Sequence, residues 1–517
     1  MTVRGTRRPA PSAARKPAKP QPQPAPQQPR RAPESGIARA TQKLHQAMEA
    51  RPLLDYTMVR TIVLILAGLG IVMVMSSSMA TSFAASSSVW SLAIRQTVMV
   101  AFGLIAFWCA LKTPPERLRR WSSWIMLGAV LLLIAVLIPG IGTGRAEVGS
   151  QSWIVMGPLR LQPSEVARVA IAIWGAQVLA GRDPKRLFQA NNGFPLFLSV
   201  AALCILLIAA QGDLGMAVSF AVVVALILLF AGVSWKAVGL AAFGGALVLV
   251  YEFFSGGFRS DRFTVYFDAF FGRFHDTRGV AFQSHQGFLS LADGSVFGVG
   301  LGQSRAKWFY LPEARNDFIF AVIGEELGLW GGALVIILFA LLAYFGLRTA
   351  RRAQNQFQSL MAAALAAGVV SQAFINIGYV IGLLPVTGIQ LPMLSAGGTS
   401  AIITLAGMGV LASVARHEPD AISAMQNYGR PAFDRVLGIG EPQAPSQSRN
   451  ASQRPRRSAA DPGRSAGTAR PARPVRPSRP GRTVADAERE ARFGTPVTGS
   501  RSSRREPPRY DDMRRAS

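Results

Sequence analysis

The chain has 517 residues, half of them hydrophobic and 16% charged, with 55 Lys and Arg against 28 acids for a net charge of +27. Soluble domains carry about 25% charged residues, so this composition excludes an ordinary water-soluble enzyme. Its only cysteines, Cys109 and Cys204, both lie in apolar runs, which excludes a disulfide scaffold or a thiolate metal site.

Residues 1–58 hold 11 Lys and Arg against 3 acids, and runs such as Lys19-Pro20-Gln21-Pro22-Gln23-Pro24 bury too little apolar surface to fold alone. Residues 1–55 are therefore expected to be a disordered basic tail. No cleavable leader is expected, because polar, Pro-rich chain precedes the first apolar run. Apolar runs then follow near 59–78, 92–111, 121–139, 164–180, 195–211, 214–231, 235–254, 318–346, 359–382 and 399–415. Each approaches the ~20 residues a bilayer crossing needs. The expected fold is an all-α polytopic membrane protein of about ten transmembrane helices spanning 56–418. Residues 419–517 are expected to form a second disordered basic tail.

Orientation follows from Lys and Arg in the short loops. Lys112, Arg117, Arg119 and Arg120 mark one loop, Arg182, Lys185 and Arg186 another, and Arg348, Arg351 and Arg352 a third; the loops 79–91, 211–213 and 383–398 have none. Ten spans then place both tails in the cytoplasm and put the loops 140–163 and 255–317 outside. The latter, between the seventh and eighth spans, carries seven Lys and Arg and six acids. A loop of that length in a compact domain is usually functional.

Charged groups at bilayer depth need a partner or a task. Glu165 and Arg168 stand one turn apart at the start of the fourth span. Asp213 separates two very hydrophobic runs, and Gln372 and Asn376 share a helix face at i, i+4 spacing. Interhelical hydrogen bonding is the ordinary role for Gln372, Asn376 and Asp213; the Glu165–Arg168 pair is equally open to a substrate role. Neighbours on a helix diverge by about 100°, so one of Glu325 and Glu326 is expected to face a wet cavity. Asp317, at the end of the outer loop, suits either an N-cap or a catalytic base at the membrane–water border. Both readings stay open on the residues alone.

Several motifs together resemble the SEDS family (shape, elongation, division and sporulation). They are Gly298-Val299-Gly300-Leu301-Gly302-Gln303-Ser304, Lys307, Leu311-Pro312-Glu313-Ala314-Arg315-Asn316-Asp317-Phe318 and Ile323-Gly324-Glu325-Glu326-Leu327-Gly328. Trp153, Gln162-Pro163-Ser164-Glu165, Arg259 with Arg262, Gln283 with Gln286, Gly382–Gly388, Leu391-Pro392 and Ser395-Ala396-Gly397-Gly398 complete the set. The likeness covers about residues 55–418. It departs from the family pattern at Arg315 (commonly His), at Gly212 in Gln211-Gly212-Asp213-Leu214-Gly215 (commonly Pro), at Ala396 (often Tyr) and at Arg168 (frequently Lys). The long tails and Gly324-Glu325-Glu326 lie nearer the division branch than the elongation branch.

The resemblance implies ten membrane helices and polymerisation of lipid II into glycan strands on the outer face of the cytoplasmic membrane, at the division septum. It assigns the family's essential Asp to Asp317 as general base. Arg259, Arg262 and Lys307 are the expected pyrophosphate contacts, with Trp153, Glu165, Arg168, Gln283, Gln286 and Ser395 as further substrate contacts. Glu325, Glu326, Gln372 and Asn376 are expected cavity or structural polar groups. A divalent cation, Mg or Mn, is implied, but no ligand cluster in the sequence marks its site. Expected partners are lipid II, the nascent strand, a class B penicillin-binding protein and other division proteins reached through the basic tails, which adjoin anionic lipid rather than nucleic acid. The competing readings are a lipid II flippase and a noncatalytic scaffold of the division machinery.

Overall fold

The computed structural model describes residues 50–86, 90–145, 149–157, 159–254, 280–305 and 314–442, with single positions at 43, 48, 88, 266 and 311. Each of the ten apolar runs is a helix. They are α1 (Leu54–Ser86), α2 (Ser91–Lys112), α3 (Pro115–Ala135), α4 (Pro163–Leu179), α5 (Phe194–Ala210), α6 (Leu214–Phe230), α7 (Trp235–Phe254), α9 (Ile319–Arg352), α10 (Gln356–Val380) and α11 (Thr399–Arg416). Six of them, α1, α2, α3, α9, α10 and α11, are long and apolar enough to cross a membrane unaided. α5 and α6 are apolar but only 17 residues long, and α4 is interrupted by Glu165 and Arg168.

Starts are set by local chemistry. Pro115 and Pro163 open α3 and α4, where a missing N–H costs nothing. Asp213 caps α6 by accepting from Met216 N at 3.0 Å, and Asn355 caps α10 through Gln358 N at 3.0 Å. Asp213 thus has the structural role open to it, and Gln162 Nε2 also reaches it at 3.3 Å. Between helices there is no hydrophobic drive in lipid, so close backbone approach must hold them. At Gly409 of α11 a Cβ would lie 2.4 Å from the Phe107 carbonyl of α2.

Two features depart from an all-α body with unstructured ends. The loop between α3 and α4 folds into a three-stranded antiparallel sheet, β1 (Gly142–Thr143), β2 (Trp153–Met156) and β3 (Leu159–Leu161). The β-prone run Trp153-Ile154-Val155-Met156 turns back through Gly157 at φ +59°. Residues 419–442, expected to be disordered, instead form α12 (Pro419–Tyr428) and α13 (Ala432–Val436) against the bundle. Asp434 is wholly buried, accepting from Tyr56 Oη at 2.5 Å and pairing with Arg416 Nε at 2.7 Å. Of the expected tails 1–55 and 419–517, residues 1–42, 44–47, 49 and 443–517 lie outside the described residues, and Leu54 and Asp55 already belong to α1.

The loops predicted to share a side do meet at one end of the bundle. At the basic end Arg348 pairs with Asp55 at 2.6 Å and Arg352 with Asp420 at 2.7 Å. Asn355 reaches Glu116 at 3.2 Å, and Ser413 the Thr113 carbonyl at 2.8 Å. At the other end Gln151 N bonds to Gln211 O, Thr399 to Arg160 O, and Gln96 to Ser395 O.

Glu418, just beyond α11, is 1% exposed. Burial, reinforced by the nearby Asp55 charge, outweighs Arg352 at 3.3 Å and pushes its carboxyl up to about 8. The folded state therefore holds a proton that the unfolded chain releases near 4.5. Stability contributed here is full below that value, falls as pH rises towards 8, and then levels off. Thermal unfolding in detergent should show this decline in the wild type and a flatter one in Glu418→Gln. Equal slopes would mean that Glu418 is ionised in the folded protein.

Candidate active site

The loop after α7 reaches its described part at α8 (Val280–Gly294), which packs beside α9. Gly287 lies against Phe318, and a Cβ on Gly294 would stand 2.0 Å from the Gly324 carbonyl. The segment after α8 therefore re-enters the bundle about 8–15 Å below the start of α9, at 1.5 Å per residue. There α9 is broken: Gly328 is non-helical at φ 66°, ψ −163°. Its freed backbone groups are taken up by the re-entrant tip. Val299 N donates to Glu325 O at 2.9 Å, Gly300 N to Glu326 O at 3.0 Å, and Leu329 N to Ser295 O at 3.0 Å. Irregular backbone at membrane depth survives only when satisfied in this way.

The motif Gly298-Val299-Gly300-Leu301-Gly302 is explained by this path, since all three glycines have φ between +78° and +102°. A side chain at Gly298 would also meet Glu326 O at 2.2 Å. Gly298→Ala should cost about 2 kcal/mol or more, seen as a lowered thermal midpoint and faster proteolysis of the outer loop. An unchanged midpoint would mean that the tip is not docked.

The expectation that Glu325 or Glu326 faces a wet cavity is corrected. Glu325 accepts from Ser304 Oγ at 2.7 Å and from Arg305 N at 2.5 Å. Glu326 accepts from Ser76 Oγ of α1 at 2.7 Å, and Ser76 accepts from Gly302 N at 3.1 Å. The two acids diverge as neighbours must, yet both hold the segment 302–305, Glu325 directly and Glu326 through Ser76.

The turn Ala314–Phe318 follows and carries Asp317, which is half-buried. The N-cap position of α9 is Phe318, so Asp317 precedes the helix. The carbonyls of three successive residues are held from the opposite side. Arg315 O accepts from Ala396 N at 3.0 Å, and Asn316 O from Ser395 Oγ at 2.6 Å. Asp317 O accepts from Asn376 Nδ2 at 2.8 Å and from Tyr379 Oη at 2.9 Å. Ser395 also accepts from Leu391 N at 2.8 Å. Its hydroxyl thus donates to one backbone group and accepts from another.

Below this turn α10 continues a polar ladder. Gln372 donates to Gln390 O at 3.0 Å and to Glu165 at 3.3 Å, and Glu165 forms a buried ion pair with Arg168. Arg168 Nη1 is buried with no protein partner, and Arg168 lines a small cleft with Ala172, Ala364, Gly368, Thr404 and Gly407. Trp153 lies half-buried in β2 at the same end of the bundle. Gln283 and Gln286 are half-buried on α8, within one turn of Gly287. Arg259, Arg262 and Lys307 lie outside the described residues. Tyr379 was not singled out in the sequence, although it stands three residues after Asn376 on the same face. Among the described residues no three His, Cys, Asp or Glu gather to hold a metal. The implied cation finds no ligand set among them.

A multi-pass helical membrane protein with a re-entrant segment and an aspartate on a pinned turn at one mouth of the bundle is the class this architecture defines. The chain belongs to the FtsW/RodA/SpoVE family, described as "Cell cycle protein", whose profile matches residues 56–420. It is 36% identical over 439 residues to the "Probable peptidoglycan glycosyltransferase FtsW" of Mycobacterium tuberculosis, covering 81% of this chain and 82% of that protein. It is also 36% identical over 362 residues to the "Stage V sporulation protein E" of Bacillus subtilis, covering 69% of this chain and 95% of that one. Among solved structures, the rod shape determining protein RodA from Thermus thermophilus superposes with a TM-score of 0.51 at 24% identity, over 70% of this chain and 96% of that one. A chain from a structure titled "Structural coordination of polymerization and crosslinking by a peptidoglycan synthase complex" matches with a TM-score of 0.56 at 24% identity, over 70% of this chain and 97% of that one.

Proposed function

We propose that this chain is a peptidoglycan glycosyltransferase that polymerises lipid II on the outer face of the cytoplasmic membrane during division, with Asp317 as general base. The observation that carries the reading is a half-buried carboxylate on a turn whose three carbonyls are all fixed, at the bundle end opposite the basic loops. The names of the curated relatives support the activity.

In the reaction a sugar 4-hydroxyl attacks the anomeric carbon of a second lipid-linked unit. A new C–O bond forms, the bond from that carbon to the pyrophosphate breaks, and the hydroxyl proton passes to Asp317. An alkoxide-like nucleophile needs one positioned base. The leaving pyrophosphate needs cationic donors rather than a carboxylic acid. Arg259, Arg262 and Lys307 are proposed for that task, with Arg168 offering its unpartnered Nη1 deeper in the bundle. Trp153, Gln283 and Gln286 are proposed to contact the sugars. One displacement inverts the donor, giving a β-linked strand from an α-linked unit.

The two tails are proposed to be cytoplasmic and to meet anionic lipid or other division proteins. A class B penicillin-binding protein is the proposed partner that cross-links the product; the solved complex that superposes on this chain couples polymerization and crosslinking by its title. The test is incubation of the purified full chain with labelled lipid II, with and without that partner and with Mg or Mn. Glycan polymer is the expected product. Lipid II transport without polymer, with the partner and metal present, would replace the enzyme by a flippase.

A further inference from the structure

We infer that Tyr379, Asn376 and Ser395 are positioning residues that hold the turn bearing Asp317 in its reactive orientation, a reading that rests on Asp317 being the base. Three successive peptide carbonyls at residues 315–317 point away from the outer face into the bundle and are engaged there. Their donors come from two places distant in sequence: α10, and the loop joining it to α11. Fixing the carbonyl of a residue on the inner side fixes its peptide plane and so the direction of its Cα–Cβ bond. With three consecutive planes fixed, the Asp317 carboxylate loses the backbone freedom that a surface turn ordinarily has.

The donor chemistry supports a purpose beyond packing. The two N–H groups of Asn376 and the hydroxyl of Tyr379 are three hydrogens shared by two oxygens, Asp317 O and Ile389 O, all between 2.7 and 2.9 Å. The same amide and hydroxyl lie 2.6 Å apart. Asn376 is fully buried and Tyr379 is 2% exposed. Asn376 Oδ1 is left with no partner, a desolvation cost that buried polar groups ordinarily avoid. The arrangement accepts that cost to aim both amide hydrogens at carbonyls. The Tyr379 ring also meets Phe318 edge-on at 5.8 Å, so the residue after the base is held by the same side chain. Because Ile389 O is bound by the same two groups, the 383–398 loop and the 314–318 turn are tied through one junction.

The test is a kinetic cycle with the purified full chain and its cross-linking partner on lipid II. Tyr379→Phe keeps the ring and its Phe318 contact and takes the hydroxyl away from both Asp317 O and Ile389 O. Ser395→Ala removes a donor at the neighbouring carbonyl. Displacing a reacting group by ~1 Å can cost 10²-fold. Each variant is therefore expected to lower kcat by about 5–20-fold, with KM for lipid II within about 2-fold and the thermal midpoint little changed. In an Asp317→Glu background, where the carboxylate is already displaced, Tyr379→Phe should cost less than about 2-fold more. Loss of the same size in both backgrounds, a change in KM alone, or an unchanged kcat would each overturn the positioning role. If Asp317→Glu and Asp317→Asn both polymerise as well as wild type, the base assignment itself fails, which is a separate outcome.

Discussion

Asp317→Asn will lower lipid II polymerisation by at least about 100-fold while leaving the protein folded. A positioned general base contributes about 10²–10⁴-fold, and an amide of the same size cannot take up the proton. Bonds to the backbone carbonyls of this turn survive the change: Ser395 serves Asn316 O, and Asn376 with Tyr379 serves Asp317 O. The substitution should therefore leave the thermal midpoint close to wild type. The measurement is the initial rate of polymer formation from labelled lipid II, with lipid translocation followed in the same vesicles. Polymer formed at more than a tenth of the wild-type rate would end the assignment of Asp317 as base.

Asp434→Ala will destabilise the protein by about 3–5 kcal/mol, because it leaves the guanidinium of Arg416 buried and without its carboxylate. Arg416 is 3% exposed and Asp434 fully buried, and Tyr56 Oη loses its acceptor in the same change. The fall should appear as a lower thermal midpoint and as early proteolysis of 417–442. Replacing the pair together, Arg416→Met with Asp434→Leu, should recover much of the loss, since a well-packed apolar pair avoids the desolvation cost of two charges. If the double variant is no more stable than Asp434→Ala, the cap is held by contacts other than this pair.

Much of the membrane body was legible in the sequence because hydropathy is a local signal. The runs at 92–111 and 399–415, for example, became α2 (Ser91–Lys112) and α11 (Thr399–Arg416) with ends displaced by only a residue. The ends of other helices moved further where polar residues continue a helix beyond the apolar stretch, as at Leu54–Ser86. What stayed hidden depends on distance along the chain. Asp434 reaches Tyr56 across 378 positions, Ser76 reaches Glu326 across 250, and neither pair has a local signature. The short sheet at 142–161 was missed because its strands are two to four residues long.

The site was legible in part. Asp317, Gln372 and Asn376 could be found from polarity at the membrane border and from i, i+4 spacing, and the resemblance selected the role of Asp317. Ser395 could be found as a residue but not as a backbone ligand, because a hydroxyl's partner depends on which loop folds onto it. Glu325 and Glu326 looked like groups seeking water, since nothing local foretells that Ser304, Arg305 and Ser76 converge on them. Tyr379 was concealed by its own ordinariness as an aromatic residue in an apolar helix.

The interruption of α9 at Gly328 has a mechanical consequence. Nine residues, 319–327, are stitched to the re-entrant strip rather than continued by an unbroken ladder into the longer inner section. No unbroken ladder of helix hydrogen bonds therefore links the stub next to Asp317 to the section that carries Arg348 and Arg352.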